Sequence, residues 1–159
     1  MKIISHRGNL HGPNPACENV PSVIDDVLAK GFDCEVDLWV SSNGDLLLGH
    51  DFGAYKIDLD WLSSRILMLW IHCKNLKALE ELTYSNVGFN FFWHQEDDHV
   101  MTSKQVIWSF PGQEISSKAV AVLPELWNPS PNPDMLKKSF GVCTDYPLKF
   151  DRLLNVGNH

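Results

Sequence analysis

Seven short apolar runs recur along the chain, and each carries or ends in polar residues able to do chemistry. They are "KII" before Ser5, His6 and Arg7; "FDCEVDLWV", with Glu35 and Asp37; "ILMLWI" before His72 and Lys74; "VGFNFFW" before His94 and Gln95; "VIWSF", with Ser109; "AVAVLP" before Glu125; and "FGVC" before Thr144 and Asp145. Runs of this length bounded by turn residues read as buried strands. Between the first two, Asn19 is expected as N-cap, Pro21 as a first-turn residue and Gly31 as the stop of a helix over "PSVIDDVLAK". Strand, helix and strand in that order predict a βαβ unit with parallel pairing. A second helical segment, "NLKALEEL", follows the third run, with Leu76, Leu79 and Leu82 at helical spacing. Later connections are too short for full helices, and the three prolines of "WNPSPNPD" exclude regular structure there.

Apolar strands whose functional residues sit only at their carboxyl ends are what a (β/α)8 barrel shows, because its active site is built at that face. A doubly wound sheet would bring a glycine-rich phosphate turn, and neither GxGxxG nor GxxxxGK occurs. The chain has 159 residues, whereas the usual lower limit for such barrels is about 200. The expectation is therefore one α/β domain over 1–159: a compact, degenerate TIM barrel with shortened or missing helices, or one strand lost.

Composition narrows the partners. With 13 basic against 20 acidic residues and a net charge of -7, nucleic acid is not expected, and an anionic substrate needs a local basic spot. Hydrophobic content of 44% is that of an ordinary globular domain, with disorder expected only at "NVGNH". No transmembrane run or leader is visible, so the expected location is cytoplasmic. Cys17, Cys34, Cys73 and Cys143 form no CxxC pair and read as small buried hydrophobes in a reducing compartment. Nothing in the sequence signals oligomeric state.

The strongest chemical signal is "CEVDLWV". Glu35 and Asp37 are two apart, so on a strand they share a face, with Val36 and Leu38 on the other. Two acids buried together repel unless a cation lies between them, and hard oxygen ligands suggest Mg2+, Ca2+ or Mn2+. A solvated strand face is the alternative. Asn43-Gly44 then marks a hairpin that returns His50 toward that strand. An imidazole near a metal and near His6 is suited to acid–base work at neutral pH, although a single histidine ending a strand is usually structural. Trp39 continues the inward parity of Glu35 and Asp37 and offers a face for a sugar or a choline-like cation, core packing being the alternative. His94, Gln95, Ser109 and Glu125 stand where barrel strands end and are candidate pocket wall. His11, His99 and His159 receive no role.

"HRG", "ENV", "EVDLWVSSNGDLLLGHD" and "GVCTDYP" together resemble the glycerophosphodiester phosphodiesterases, a branch of the phosphatidylinositol-phospholipase-C-like barrels. The likeness is dense over residues 3 to 52, sparse through the middle, and returns at 141 to 147. It implies His6 and His50 as the acid–base pair, Arg7 and Lys74 on the substrate phosphate, a divalent metal on Glu35 and Asp37, and Glu18 as the active-site glutamate of the PEN element. His72 departs from the pattern, standing where the family has its third acidic ligand. Being two residues from Lys74, it should face the interior and ligate the metal through a neutral nitrogen. That exchange removes one negative charge and favours Mn2+ or Zn2+ over Ca2+; a histidine that only hydrogen-bonds a neighbour is the alternative. The implied activity is metal-dependent hydrolysis of a glycerophosphodiester or a related small phosphodiester. The rivals are a lyase that stops at a cyclic phosphate, as in the sphingomyelinase-D-like barrels, and a non-catalytic module that binds a phosphorylated metabolite.

Overall fold

The computed structural model describes residues 1–155. Most of "NVGNH", from residue 156 on, and with it His159, lies outside the described residues. In chain order the elements are β1 (Lys2–His6), α1 (Pro21–Ala29), β2 (Asp33–Val40), β3 (Leu46–Leu48), β4 (Tyr55–Ile57), α2 (Leu59–Ser63), β5 (Leu69–Cys73) and α3 (Leu76–Tyr84). There follow β6 (Phe91–Trp93), β7 (His99–Met101), β8 (Ile107–Ser109), β9 (Ala119–Val122), α4 (Pro124–Trp127), α5 (Pro133–Leu136), β10 (Gly141–Thr144) and α6 (Pro147–Asn155).

Seven strands, one from each apolar run, pair in parallel in the order β6-β5-β2-β1-β10-β9-β8. The last strand thus returns to pair with the first, as a barrel wall requires. The eighth place is taken by β7, which runs antiparallel on the free edge of β8 and packs beside β6. That junction is stitched through Ser103, whose N–H donates to Phe91 O at 2.8 Å while its hydroxyl accepts from Phe91 N–H at 3.0 Å. The fold is a degenerate (β/α) barrel in which one parallel strand and several helices have been replaced by hairpins and turns. Asn43-Gly44 forms the expected hairpin between β2 and β3, with Gly44 at a φ of 84°.

Side-chain parity separates a core inside the barrel from the packing on its outer wall, where Ala121 and Val142 also meet Leu136, Phe150 and Leu154. Ile4, Trp70, Phe92, Trp108, Val120 and Cys143 fill the barrel, while Val36, Leu38 and Ile71 face outward onto Ile24 and Val27 of α1 and onto Ala78 and Leu82 of α3. Each fully buried aliphatic side chain stabilises by about 1.5–3 kcal/mol. The barrel floor is closed by Asp33, which accepts from Trp70 Nε1–H at 3.0 Å and pairs with Lys2 Nζ at 2.9 Å.

Several local expectations are corrected. Val20, not Asn19, is the N-cap of α1; Pro21 and Gly31 hold their expected places. Asn19 is instead buried and turned toward β2. In α3 the buried pair is Ala78 and Leu82, one turn apart, and Leu76 is exposed. The proline-rich loop ends in helical α5, because Pro133 sits at a first-turn position that needs no N–H. β4, α2 and the nine-residue α6 were not among the expected elements, although α6 buries Phe150 and Leu154 one turn apart and Asp58 caps α2. Cys34, Cys73 and Cys143 are buried thiols pushed up by burial, but Cys17 is half-buried only. No helix among the described residues is long and apolar enough to cross a membrane.

Candidate active site

β1 stops at His6 because the chain then turns through two residues of positive φ, Arg7 at 55° and Gly8 at 90°. Arg7 is not glycine, and the left-handed region costs it about 1–2 kcal/mol. Backbone bonds hold it there: Arg7 N–H donates to Glu35 O at 3.0 Å, and Arg7 O accepts from Asn19 N–H at 2.9 Å. Its guanidinium is fixed as well, with Nη1 donating to Glu18 Oε2 at 3.2 Å and Nε lying 3.2 Å from Asp37 Oδ2.

β2 carries Glu35 and Asp37 into the barrel, both buried. Beside them β5 places His72, whose Nδ1 lies 3.1 Å from Asp37 Oδ1 and 4.0 Å from Glu35 Oε1, and Lys74, whose Nζ is 3.6 Å from Asp37 Oδ1. One ligand atom from each of Glu35, Asp37 and His72 lies within 4.8 Å of the others. Asp37 is further tied by Asn19, which donates to Oδ2 and accepts from the Asp37 N–H, both at 2.9 Å. Burial opposes ionisation of Asp37, but His72, Arg7 and Lys74 outweigh it and hold the carboxyl well below the usual range. Burial and the Asp37 charge push Glu35 the other way. Glu35 Oε2 and Asp37 Oδ1 have no aligned hydrogen-bond donor although both are buried. Asp37 Oδ1 has His72 and Lys74 close by, but Glu35 Oε2 is left without a partner, which is costly unless something cationic completes it. Two carboxylates and a neutral imidazole nitrogen fit a divalent cation.

His6 Nδ1 lies 2.7 Å from Asp145 Oδ1, just beyond β10. Burial lowers the affinity of His6 for a proton, but the Asp145 bond and the nearby Glu35 charge more than compensate, and its pKa is raised. Asn9 Nδ2 donates both to Asp145 Oδ1 at 2.8 Å and to Glu18 Oε1 at 3.0 Å, so one buried amide couples the His6 and Arg7 supports. His50, returned by the hairpin, is half-exposed and lies 2.6 Å from Asp51 Oδ1 through Nδ1. His72 stacks on Phe92 and His94 on Phe110. Burial and the neighbouring His72 and Lys74 keep His94 below the ordinary imidazole range. His6, Arg7, Glu35, His50, His72, Lys74 and His94 all line one cavity of about 410 Å3 at the carboxyl ends of the strands.

Solved structures share this backbone. A glycerophosphodiester phosphodiesterase from Parabacteroides distasonis ATCC 8503 matches with a TM-score of 0.60 at 10% identity, over 99% of this chain and 98% of that one. One from Agrobacterium tumefaciens str. C58 gives 0.57 at 15% identity over 98% and 99%. The chain has the glycerophosphodiester phosphodiesterase fold. A glycerophosphoryl diester phosphodiesterase, again from Parabacteroides distasonis ATCC 8503, agrees at 0.58 and 10% identity over 98% and 86%. No family model matches the sequence, and no curated protein does. At such identities the likeness shows the fold, and the chemistry has to be read from the side chains of this chain.

Within this glycerophosphodiester phosphodiesterase fold, the structure brings His6, Arg7, Glu35, His50, His72, Lys74 and His94 to a single cavity, and sets three expected pocket residues behind it. Glu18 clamps Arg7 and Asn9. Trp39 points its indole N–H at Gly49 O, 2.7 Å away, and so anchors the strand end that delivers His50 instead of offering a stacking face. Glu125 accepts from Thr144 Oγ1 at 2.7 Å and Asp145 N–H at 2.9 Å, which aims the turn bearing Asp145. Ser109 accepts from or donates to His99 at 2.9 Å outside the site. Sequence reasoning missed Asn9, the true use of Asn19, and the pairing of Asp145 with His6. Asn9 had a signal, a third polar residue directly after "HRG"; Asn19 had none once it was read as a cap.

Proposed function

We propose that the chain is a metal-dependent phosphodiester hydrolase acting on a glycerophosphodiester or a related small phosphodiester. The observation that carries this reading is the cluster of Glu35, Asp37 and His72, one ligand atom of each within 4.8 Å of the others and Glu35 Oε2 buried without a hydrogen-bond partner, at a cavity lined by Glu35, His72, Arg7 and Lys74. Glu35, Asp37 and His72 would hold one divalent cation, which supplies charge neutralisation at the phosphate oxygens. The exchange of a carboxylate for His72 favours Mn2+ or Zn2+ over Ca2+.

Arg7 and Lys74 meet the phosphate with the only two fixed positive charges lining the cavity among the described residues. Arg7 is pre-oriented by Glu18, so little freedom is lost on binding. With Nδ1–H given to Asp145, His6 presents Nε2 as the proton-accepting atom; Asp145 holds that tautomer and stabilises the imidazolium that forms. His50, paired through Nδ1 to Asp51, has its own Nε2 free to exchange a proton with the opposite oxygen of the diester. Two imidazoles, each oriented by its own carboxylate, support turnover over bare binding.

A screen of glycerophosphodiesters and sugar-phosphate diesters against Mg2+, Ca2+, Mn2+ and Zn2+ tests the reading, followed by phosphorus NMR of the product. Turnover with at least one pair, lost in Asp37→Asn, is expected. A cyclic phosphate that accumulates without hydrolysis would replace the hydrolase by a lyase, and no turnover with any pair would leave a binding module.

A further inference from the structure

On the β8–β9 side of the barrel a second cavity of about 310 Å3 lies beside the segment carrying α4 and α5. Its walls are mostly apolar, with Ile115, Val122, Trp127, Met135 and Leu136 beside the neutral polar side chains of Ser109, Gln113, Asn128 and Asn132, and none of its lining residues among those described is charged. The first cavity, by contrast, has seven titratable side chains.

Two chain segments border both cavities. Phe110 and Pro111 line the charged one, Phe110 and Gly112 the apolar one; Val122 and Leu123 line the charged one, Val122 and Pro124 the apolar one. Both segments therefore cross from one cavity to the other within three residues, at the carboxyl ends of adjacent strands. The crossing is built with unusual backbone. Leu123 has a φ of 43°, which turns α4 back over the rim, and Gly112 has a φ of 83°. A Cβ on Gly112 would stand 2.8 Å from Trp127 Cε3, so only glycine lets the Trp127 ring close down here. Trp127 and Met135 remain largely exposed, apolar surface that no other part of the described chain covers.

We infer that the apolar cavity is the subsite for an alkyl or acyl chain carried on the alcohol of the phosphodiester, so that the substrate is amphiphilic. This rests on the phosphodiesterase reading of the charged cavity. An anion held by Arg7 and Lys74 extends its ester past Phe110 and Val122, and a neutral wall accepts only an uncharged group without a desolvation cost. At about 30 Å3 per water-sized group, the cavity has room for roughly ten such groups.

The test is binding of methyl, butyl and octyl phosphate, with Mn2+ present, measured by calorimetry on the wild type, on Trp127→Ala and on Leu126→Ala. Leu126 is as exposed as its neighbour but does not line the cavity. Burial of a methylene is worth up to about a fourfold change in affinity, so octyl phosphate should bind the wild type at least 100-fold more tightly than methyl phosphate. Trp127→Ala should cut that ratio by at least tenfold and leave methyl phosphate unchanged, while Leu126→Ala should change neither. If methyl phosphate binds and the ratio stays near one, or if Trp127→Ala leaves it intact, the chain subsite is wrong and the phosphate site stands. If none of the three binds, both readings fall.

Discussion

Replacing Glu35 by Gln should make the metal-free protein more stable and the metal-loaded protein less stable than the wild type. Glu35 and Asp37 are both buried, and their cation-facing atoms lie within 4.8 Å. At an effective dielectric of about 20, two unit charges at that separation repel by roughly 3 kcal/mol. Arg7, His72 and Lys74 offset part of this, so the relief on neutralising Glu35 is about 1–3 kcal/mol. For a chain of this size that is a rise in Tm of roughly 3–8 °C. The burial and Asp37 charge that raise the Glu35 pKa also set the pH dependence. The folded state binds a proton that the unfolded state has released, so wild-type stability without metal falls as pH rises from about 4.3 through the folded pKa. The variant should lose that slope. With a divalent cation at 100 times its Kd, the wild type gains about 2.7 kcal/mol and the variant, missing a ligand, much less. Calorimetric melts in EDTA and in excess Mn2+, at several pH values, read all three effects. A Glu35→Gln protein that melts below the wild type in EDTA, or an equal response of both to Mn2+, would refute the shared cation.

Other substitutions separate the roles of the remaining residues. His50→Ala, half-exposed at the cavity mouth, should change stability by no more than about 0.5 kcal/mol and lower kcat/KM by about 10^2–10^4; unchanged turnover with every active substrate, in a denaturation-checked protein, would remove His50 from the chemistry. Asp145→Asn takes away the partner that raises the His6 pKa, so the limb of the pH–rate profile due to His6 should move to lower pH. The stability that this pair contributes is present below about pH 6.5 and lost as pH rises through the folded pKa of His6, so the variant should be most destabilised at pH 5.5 and least at pH 9, as urea melts would show. His72→Glu restores a third carboxylate, and the ratio of Mn2+ to Ca2+ affinity measured by calorimetry should fall at least about tenfold; an unchanged ratio would mean that His72 is not a ligand.

What could be read from the sequence was whatever has a period or a fixed spacing. Seven apolar runs became seven parallel strands, and two-residue spacing placed Glu35 with Asp37, and His72 with Lys74, on inward faces. The Asn43-Gly44 turn brought back His50 for the same local reason. Trp39 shows the limit of that logic. Its parity is inward as expected, but at the strand end a backbone carbonyl, Gly49 O, was the nearer partner, and hydrogen bonding outweighed exposure of the ring. Asn19 misled because a side chain that can cap a helix can equally bind a carboxylate, and only the fold brings Asp37 into its reach. Asp145 reaches His6 across 139 positions of sequence, which no local pattern encodes.

The distribution of helices follows the distribution of charge. β10, β1, β2 and β5 carry or adjoin His6, Arg7, Glu35, Asp37, His72 and Lys74, and the three nine-residue helices α6, α1 and α3 pack against this arc, with the short α4 on β10. Burying like charges a few ångströms apart requires a frame that does not relax, and close-packed helices over the outward residues Val36, Leu38 and Ile71 supply it. The β7–β8–β9 arc contributes aromatic and aliphatic groups, Trp108, Phe110 and Val122, whose placement tolerates a looser wall. A short chain could shed helices there without disturbing the carboxylates, and the space they vacated lies beside the one stretch of rim that an extended substrate would cross. On this reasoning a cavity-filling change at Met135 should leave metal affinity intact and narrow the range of alcohols accepted, whereas a comparable change at Ile24 under β2 should weaken metal binding first.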